Sequence, residues 1–162
     1  MPQLLLRGRV LTFTAEPGRG DDASAYRYFE DGAVLISDGK IARLGDYADV
    51  SKAAPEGAER IDHRPNLIVP GFIDPHNHFP QMQVIGSYGT QLLDWLNRYT
   101  FVEEQKFADG AHSARIASLY MDEMIRHGTT TAAAYCSVHR ASAEAYFAEA
   151  EKRNMLMIGG KV

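Results

Sequence analysis

A single cysteine, Cys136, leaves this chain of 162 residues no internal disulfide framework, and it fits a reducing compartment. Basic residues are outnumbered: 17 Lys and Arg face 21 Asp and Glu, a formal charge of -4. No basic cluster exceeds what one solvated helix face holds, which argues against a nucleic-acid surface. No apolar run approaches the roughly 18 residues of a membrane helix. The start, MPQLLLRGRV, lacks the length and the small-residue cleavage site of a secretory signal. These absences predict a cytoplasmic protein with neither nucleic acid nor membrane as partner. What is present is ordinary for a globular chain, 45% hydrophobic and 23% charged.

Apolar LLLRGRVLTF (residues 4–13) reads as a strand. Residues 14–31, rich in Gly, Asp, Pro and Arg, read as a loop. GAVLISDGKIARL (residues 32–44) places two apolar segments on either side of Asp38-Gly39. That dipeptide tolerates the positive φ of a type I′ turn and so predicts a hairpin. The charged stretch of residues 46–59 predicts one short helix. Up to about Pro65 the chain is a small β unit, with few apolar residues for a core of its own.

NLIVPGFID (residues 66–74) opens with a continuous apolar run, the mark of a strand covered on both faces. Leu92, Leu93, Trp95, Leu96 and Tyr99 fall mostly on one stripe of a short helix. Ala114, Ala117, Met121, Met124 and Ile125 mark a longer helix over residues 107–127, with Gly128 placed to stop it. TTTAAAYC (residues 129–136) reads as a buried strand, ASAEAYFAEAEKR as a helix and MLMIGGKV as a third strand. Strand, helix, strand, helix, strand predicts a parallel sheet with helices outside. Three strands do not close a (β/α)₈ barrel, which takes roughly 250 residues. The expectation is therefore a truncated chain, or one that a partner completes.

The densest chemical signal is PGFIDPHNH (residues 70–78), at the C-terminal end of the first buried strand. In extended chain, residues i and i+2 point to the same side, so His76 and His78 can aim both imidazoles at one point. Neutral imidazole suits Zn²⁺, and the active site of a parallel barrel lies at that strand end. A lone His-x-His is often surface decoration. Here it follows an apolar strand, Pro70-Gly71 and Asp74.

This nonapeptide resembles the strand-one signature of the amidohydrolase superfamily, and the β unit before it resembles that family's accessory sandwich. His78-Phe79-Pro80-Gln81, the stretch SYGTQLLDWLNRYTFVEE (residues 87–104), GTTTAAAYCSVH and the terminal GGKV resemble the guanine deaminases within it. The resemblance implies an α/β fold: the start of a TIM-type amidohydrolase barrel (residues 67–162) preceded by part of a small β-sandwich (residues 1–66). It implies one Zn²⁺ per active site with His76 and His78 as metal ligands. The third histidine, the metal-binding aspartate and the proton-shuttling glutamate are expected beyond Val162, so the catalytic residues are unknown here and the chain alone is expected to be inactive. It further implies hydrolysis of guanine to xanthine and ammonia, and a homodimer when complete.

The resemblance implies Gln81 as a substrate-binding residue, and its amide offers donor and acceptor to a purine edge. Trp95 either walls the pocket or packs its helix. His139 could reach the pocket from the second strand, though a capping or surface role suits it better; His63, His112 and His127 read as surface or helix-end residues. Lys161 reads as structural and Cys136 as packed. The alternatives are an amidohydrolase acting on a triazine, a pterin or another purine, and a non-catalytic fragment.

Overall fold

The computed structural model describes residues 3–18 and 22–162. The chain divides into two units, Met1–Pro70 and Gly71–Val162. The first is a four-stranded sheet. β1 (Gln3–Phe13) runs antiparallel to β2 (Tyr26–Ser37), and β2 pairs with β3 (Lys40–Asp46) through the expected turn, where Asp38 and Gly39 have φ of 54° and 74°. A short helix, α1 (Tyr47–Ala53), follows, and β4 (Glu59–Ile68) returns parallel to β1, giving the order β3-β2-β1-β4.

Two readings of this unit need correction. The segment expected to be a loop holds strand from Tyr26 onward, with Tyr26 opposite Phe13 and Tyr28 opposite Leu11. Its aromatics favour a pleated surface despite the polar surroundings. Residues 19–21, also assigned to that loop, lie outside the described residues. Nor is the unit too thin for a core: Leu5, Ala33, Leu35 and Val50 are buried together, with Tyr47 and Ala54 packed against them. The helix closes one face of a sheet that could not cover itself.

The second unit begins with β5 (Phe72–His78) and a 3₁₀ turn over Phe79–Val84. A winding segment comes next, with α2 (Leu92–Trp95), a π turn over Leu96–Thr100 and α3 (Phe101–Gln105). Then come α4 (Gly110–Arg126), β6 (Thr129–Tyr135), α5 (Arg140–Lys152) and β7 (Leu156–Gly160). The sheet is parallel in the order β5-β6-β7, as the alternation of elements predicts. Gly128, at φ 78°, ends α4 in the left-handed conformation expected of it. No helix among the described residues is long and apolar enough to cross a membrane.

One core joins the helices to the inner side of this sheet: Phe79, Phe107, Ile116, Met121 and Tyr146 pack against Ala134 and Cys136. Each such side chain contributes roughly 1.5–3 kcal/mol on burial. The opposite side of the sheet, which carries Tyr135 and Ile158, stays open in this chain.

Here too the sequence reading shifts. Residues 66–74 are not one strand: Asn66–Ile68 ends β4 in the first unit, and β5 starts only at Phe72. Pro70 has no N–H for a ladder, and a Cβ on Gly71 would fall on the Thr130 side chain. Nor is β5 covered on both faces. It is an edge strand, with Phe72 and Ile73 62% and 70% exposed. The short helical stripe fails at Leu92 and Leu93, which are exposed, while Trp95, Leu96 and Tyr99 are half-buried.

The long helix starts at Gly110, because the Asp109 side chain caps it by accepting the Ala111 N–H at 2.9 Å. Its buried stripe is Ser113, Ile116, Ala117, Tyr120 and Met121; Ala114 and Ile125 face out. Ser113 hides this register in the sequence, since it reads as polar yet donates to the Phe107 carbonyl at 3.0 Å inside the core.

Candidate metal and substrate site

The two histidines sit on an irregular strand. Asp74 is opposite Ala132 and Asn77 opposite Ala134, so β5 spends three steps where β6 spends two. The extra residue is a bulge at Pro75-His76, a device that re-aims side chains beside active sites. Asp74 holds it: its carboxylate accepts the His76 backbone N–H at 3.1 Å and the Asn77 Nδ2–H at 2.8 Å. The Tyr120 hydroxyl of α4 in turn donates to Asn77 Oδ1 at 2.9 Å. Asn77 thus faces α4, while both histidine rings stand against Tyr135 of β6.

The His76 and His78 ring centroids are 5.6 Å apart, inclined by 63°. The Tyr135 ring stands against both, at 5.3 Å from His76 and 4.7 Å from His78. Two imidazoles bound tetrahedrally to one zinc have centroids roughly 5 Å apart, given Zn–N near 2.0–2.1 Å. The observed 5.6 Å is close to that spacing. Burial pushes the His78 imidazole below its ordinary value, against the opposing pull of Glu104. It therefore stays neutral, with a lone pair to offer a metal. Among the described residues no three His, Cys, Asp or Glu side chains converge on one point.

His78 opens on a cavity of about 680 Å³ that Gln81 and Trp95 also line, together with Asn77 and Tyr120. His76 lines a smaller one of about 230 Å³, with Tyr135, Gly160 and Lys161. Gln81 reaches the larger cavity because the 3₁₀ turn follows β5 directly, anchored by the buried Phe79 and Pro80. Its Nε2 donates to Glu104 Oε1 of α3 at 3.0 Å. Trp95 is pinned by its indole N–H, which donates to the Ser87 carbonyl at 2.9 Å.

His139 is the N-cap position of α5, makes no side-chain cap bond, and lines neither cavity. His112 is not a plain surface residue; its ring packs edge-on against Phe107 at 4.9 Å, with a buried Nε2. His127 closes α4, its Nδ1 at 2.8 Å from the Glu123 carbonyl, and borders the larger cavity. Lys161 lies just past β7 rather than on it. Cys136 is buried as expected.

Sequence reasoning missed Tyr135 and Glu104. Strand alternation could have found Tyr135, since Ala132 and Ala134 are the inward residues of β6 and Cys136 just past it is buried too. Nothing local marks Glu104. Its partner is 23 residues away in sequence.

This strand-end pair of imidazoles on a parallel sheet matches a family in sequence as well: the amidohydrolase family matches residues 67–162, more than half of the chain. The chain belongs to that family, and its three parallel strands are the start of the family's barrel. Residues 32–56 also match the imidazolonepropionase-like composite domain of bacteria. The particular relatives are guanine deaminases. The one from Escherichia coli is 41% identical over 140 residues, which is 86% of this chain and 32% of that protein. An E. coli guanine deaminase structure superposes with a TM-score of 0.88, over 99% of this chain and 36% of that one. The Bradyrhizobium japonicum enzyme gives 0.89 at 36% identity, over 99% and 35% of the two chains. The guanine deaminase of C. acetobutylicum, solved with guanine in its active site, gives 0.76 at 29% identity, over 98% and 36%. The chain spans about a third of the length of these relatives.

Proposed function

We propose that this chain is the N-terminal third of a zinc-dependent enzyme that hydrolyses guanine to xanthine and ammonia. One observation carries the reading: His78 of the histidine pair shares a cavity with Gln81 and Trp95, in a chain whose relatives include guanine deaminases, one of them 41% identical. In this reading His76 and His78 are two of the metal ligands. The other ligands and the proton-carrying carboxylate belong to the remaining barrel strands, so the chain by itself turns over no guanine. Zinc, when bound, supplies Lewis-acid activation of water near neutral pH. The chain's own residues bind and orient: Gln81 hydrogen-bonds the purine edge, and the fixed indole of Trp95 forms a wall of the pocket. Water adds at the carbon bearing the exocyclic amine, the C–N bond breaks, and ammonia leaves. A cytoplasmic homodimer acting in purine breakdown goes with the same reading.

The test is a substrate panel on the intact protein: guanine, adenine, a pterin and an aminotriazine, each followed by ammonia release. Guanine is expected to be preferred by kcat/KM. An intact protein that spares guanine and hydrolyses one of the others contradicts the substrate while leaving the family in place.

A further inference from the structure

Gln81 meets Glu104 through one defined hydrogen bond, Nε2 to Oε1 at 3.0 Å between two half-buried side chains. The chemistry of the partner fixes which end of the amide is which. A carboxylate at neutral pH only accepts, so it must face the NH₂ end of the glutamine and never its oxygen. Left alone, a glutamine amide turns over freely and offers a donor or an acceptor to whatever binds. With one N–H committed to Glu104, a flip would set two oxygens against each other in a partly desolvated place, which costs about as much as leaving a buried acceptor unpaired. Among the described residues no donor meets Gln81 Oε1, and Gln81 lines the larger cavity beside His78.

We propose that Glu104 is a positioning residue that fixes the polarity of the Gln81 amide, so that Gln81 presents Oε1 as an acceptor to a donor edge of the substrate. The inference rests on the reading of Gln81 as a substrate contact. Guanine carries such an edge, with N–H donors in its pyrimidine ring and on its amine. Discrimination follows: a heterocycle with a bare ring nitrogen in that place meets oxygen against nitrogen lone pair and is rejected, because an unpaired buried acceptor on each side has no compensation.

The experiment uses the intact enzyme and three proteins: wild type, Glu104→Gln, and the double variant Gln81→Glu/Glu104→Gln. Glu104→Gln keeps a bond between the two side chains but releases the amide to flip. The double variant restores an amide–carboxylate pair, now with an acceptor-only group at position 81. The expected result is a KM for guanine raised about tenfold in Glu104→Gln, with kcat, zinc content and Tm within error of wild type, and a KM returned to within a few-fold in the double variant. An unchanged KM in Glu104→Gln overturns the proposal. So does a fall in Tm and zinc content alongside the KM change, which marks Glu104 as a plain structural tie, and so does a double variant no better than the single one.

If wild type hydrolyses a different amino-heterocycle, the substrate reading falls, and the same three proteins are scored on that compound. A readout without turnover runs beside it. In glutamine-labelled intact protein, one Gln81 side-chain amide proton is expected downfield and slow to exchange, and Glu104→Gln is expected to remove both properties. Their absence in wild type overturns the proposal whatever the substrate.

Discussion

The Tyr120 hydroxyl donates to Asn77 Oδ1 at 2.9 Å, and that bond ties the middle of α4 to the residue between the two histidines. Burial pushes the Tyr120 phenol up to about 12, so it remains a donor at any working pH. Tyr120→Phe leaves the Asn77 oxygen without its partner and keeps the ring. The expected cost is about 1 kcal/mol of unfolding free energy, read from urea denaturation of the intact protein, with zinc bound several-fold more weakly. A variant equal to wild type in both would show that Asn77 is held by other means.

Asp74 does the complementary work at the bulge, accepting from the His76 backbone and the Asn77 amide. Removing both bonds with Asp74→Ala is expected to weaken zinc affinity by about 10- to 100-fold, the range seen for supports of metal ligands. Asp74→Asn keeps one acceptor and is expected to fall between. Competition with a chromogenic chelator measures the series, and an order other than wild type, Asn, Ala speaks against Asp74 as the support.

Cys136 is 2% exposed, and burial pushes its thiol up to about 11. Only the thiolate reacts with common thiol reagents. The folded protein is therefore expected to resist them at pH 8 and to titrate one thiol per chain once unfolded in guanidinium. Rapid labelling of the folded protein would contradict the packing described for the end of β6.

Acid stability of the first unit follows from two carboxylates. Hydrogen bonds from Arg64 hold Asp62 well below the usual carboxylate range, and a hydrogen bond from Arg7 lowers Asp31. With a lower pKa folded than unfolded, each contributes stability that is present above about pH 4, the unfolded value. That contribution is lost as the pH falls through the folded value. Thermal melts should stay level from neutral pH to about pH 5 and drop below about pH 4. The drop should shrink in Asp62→Asn and in high salt, since both pairs are exposed.

Much of this was legible in the sequence, because it depends on local rules. Asp38-Gly39 marks its hairpin, Gly128 ends its helix, and the alternation after residue 71 gives a parallel sheet. What escaped depends on distant partners. Ser113 is a core residue only because the Phe107 carbonyl receives its hydroxyl, and Tyr26 is in a strand only because Phe13 lies opposite it. The His-x-His pair was readable from spacing, but its bulge was not, since a bulge is a mismatch with β6. Gln81 could be picked out by resemblance; Glu104 needed the fold to bring α3 beside the 3₁₀ turn.

Zinc stripping and restoration on one preparation of the intact protein tests the central claim most directly. Guanine turnover and metal content are followed together as a chelator removes zinc and as zinc is returned. The expected result is loss of guanine deamination in proportion to zinc lost, recovery at one zinc per chain, and no recovery in His76→Ala or His78→Ala. Guanine turnover that persists after the zinc is gone, or that zinc restores equally well without the two histidines, would contradict the account.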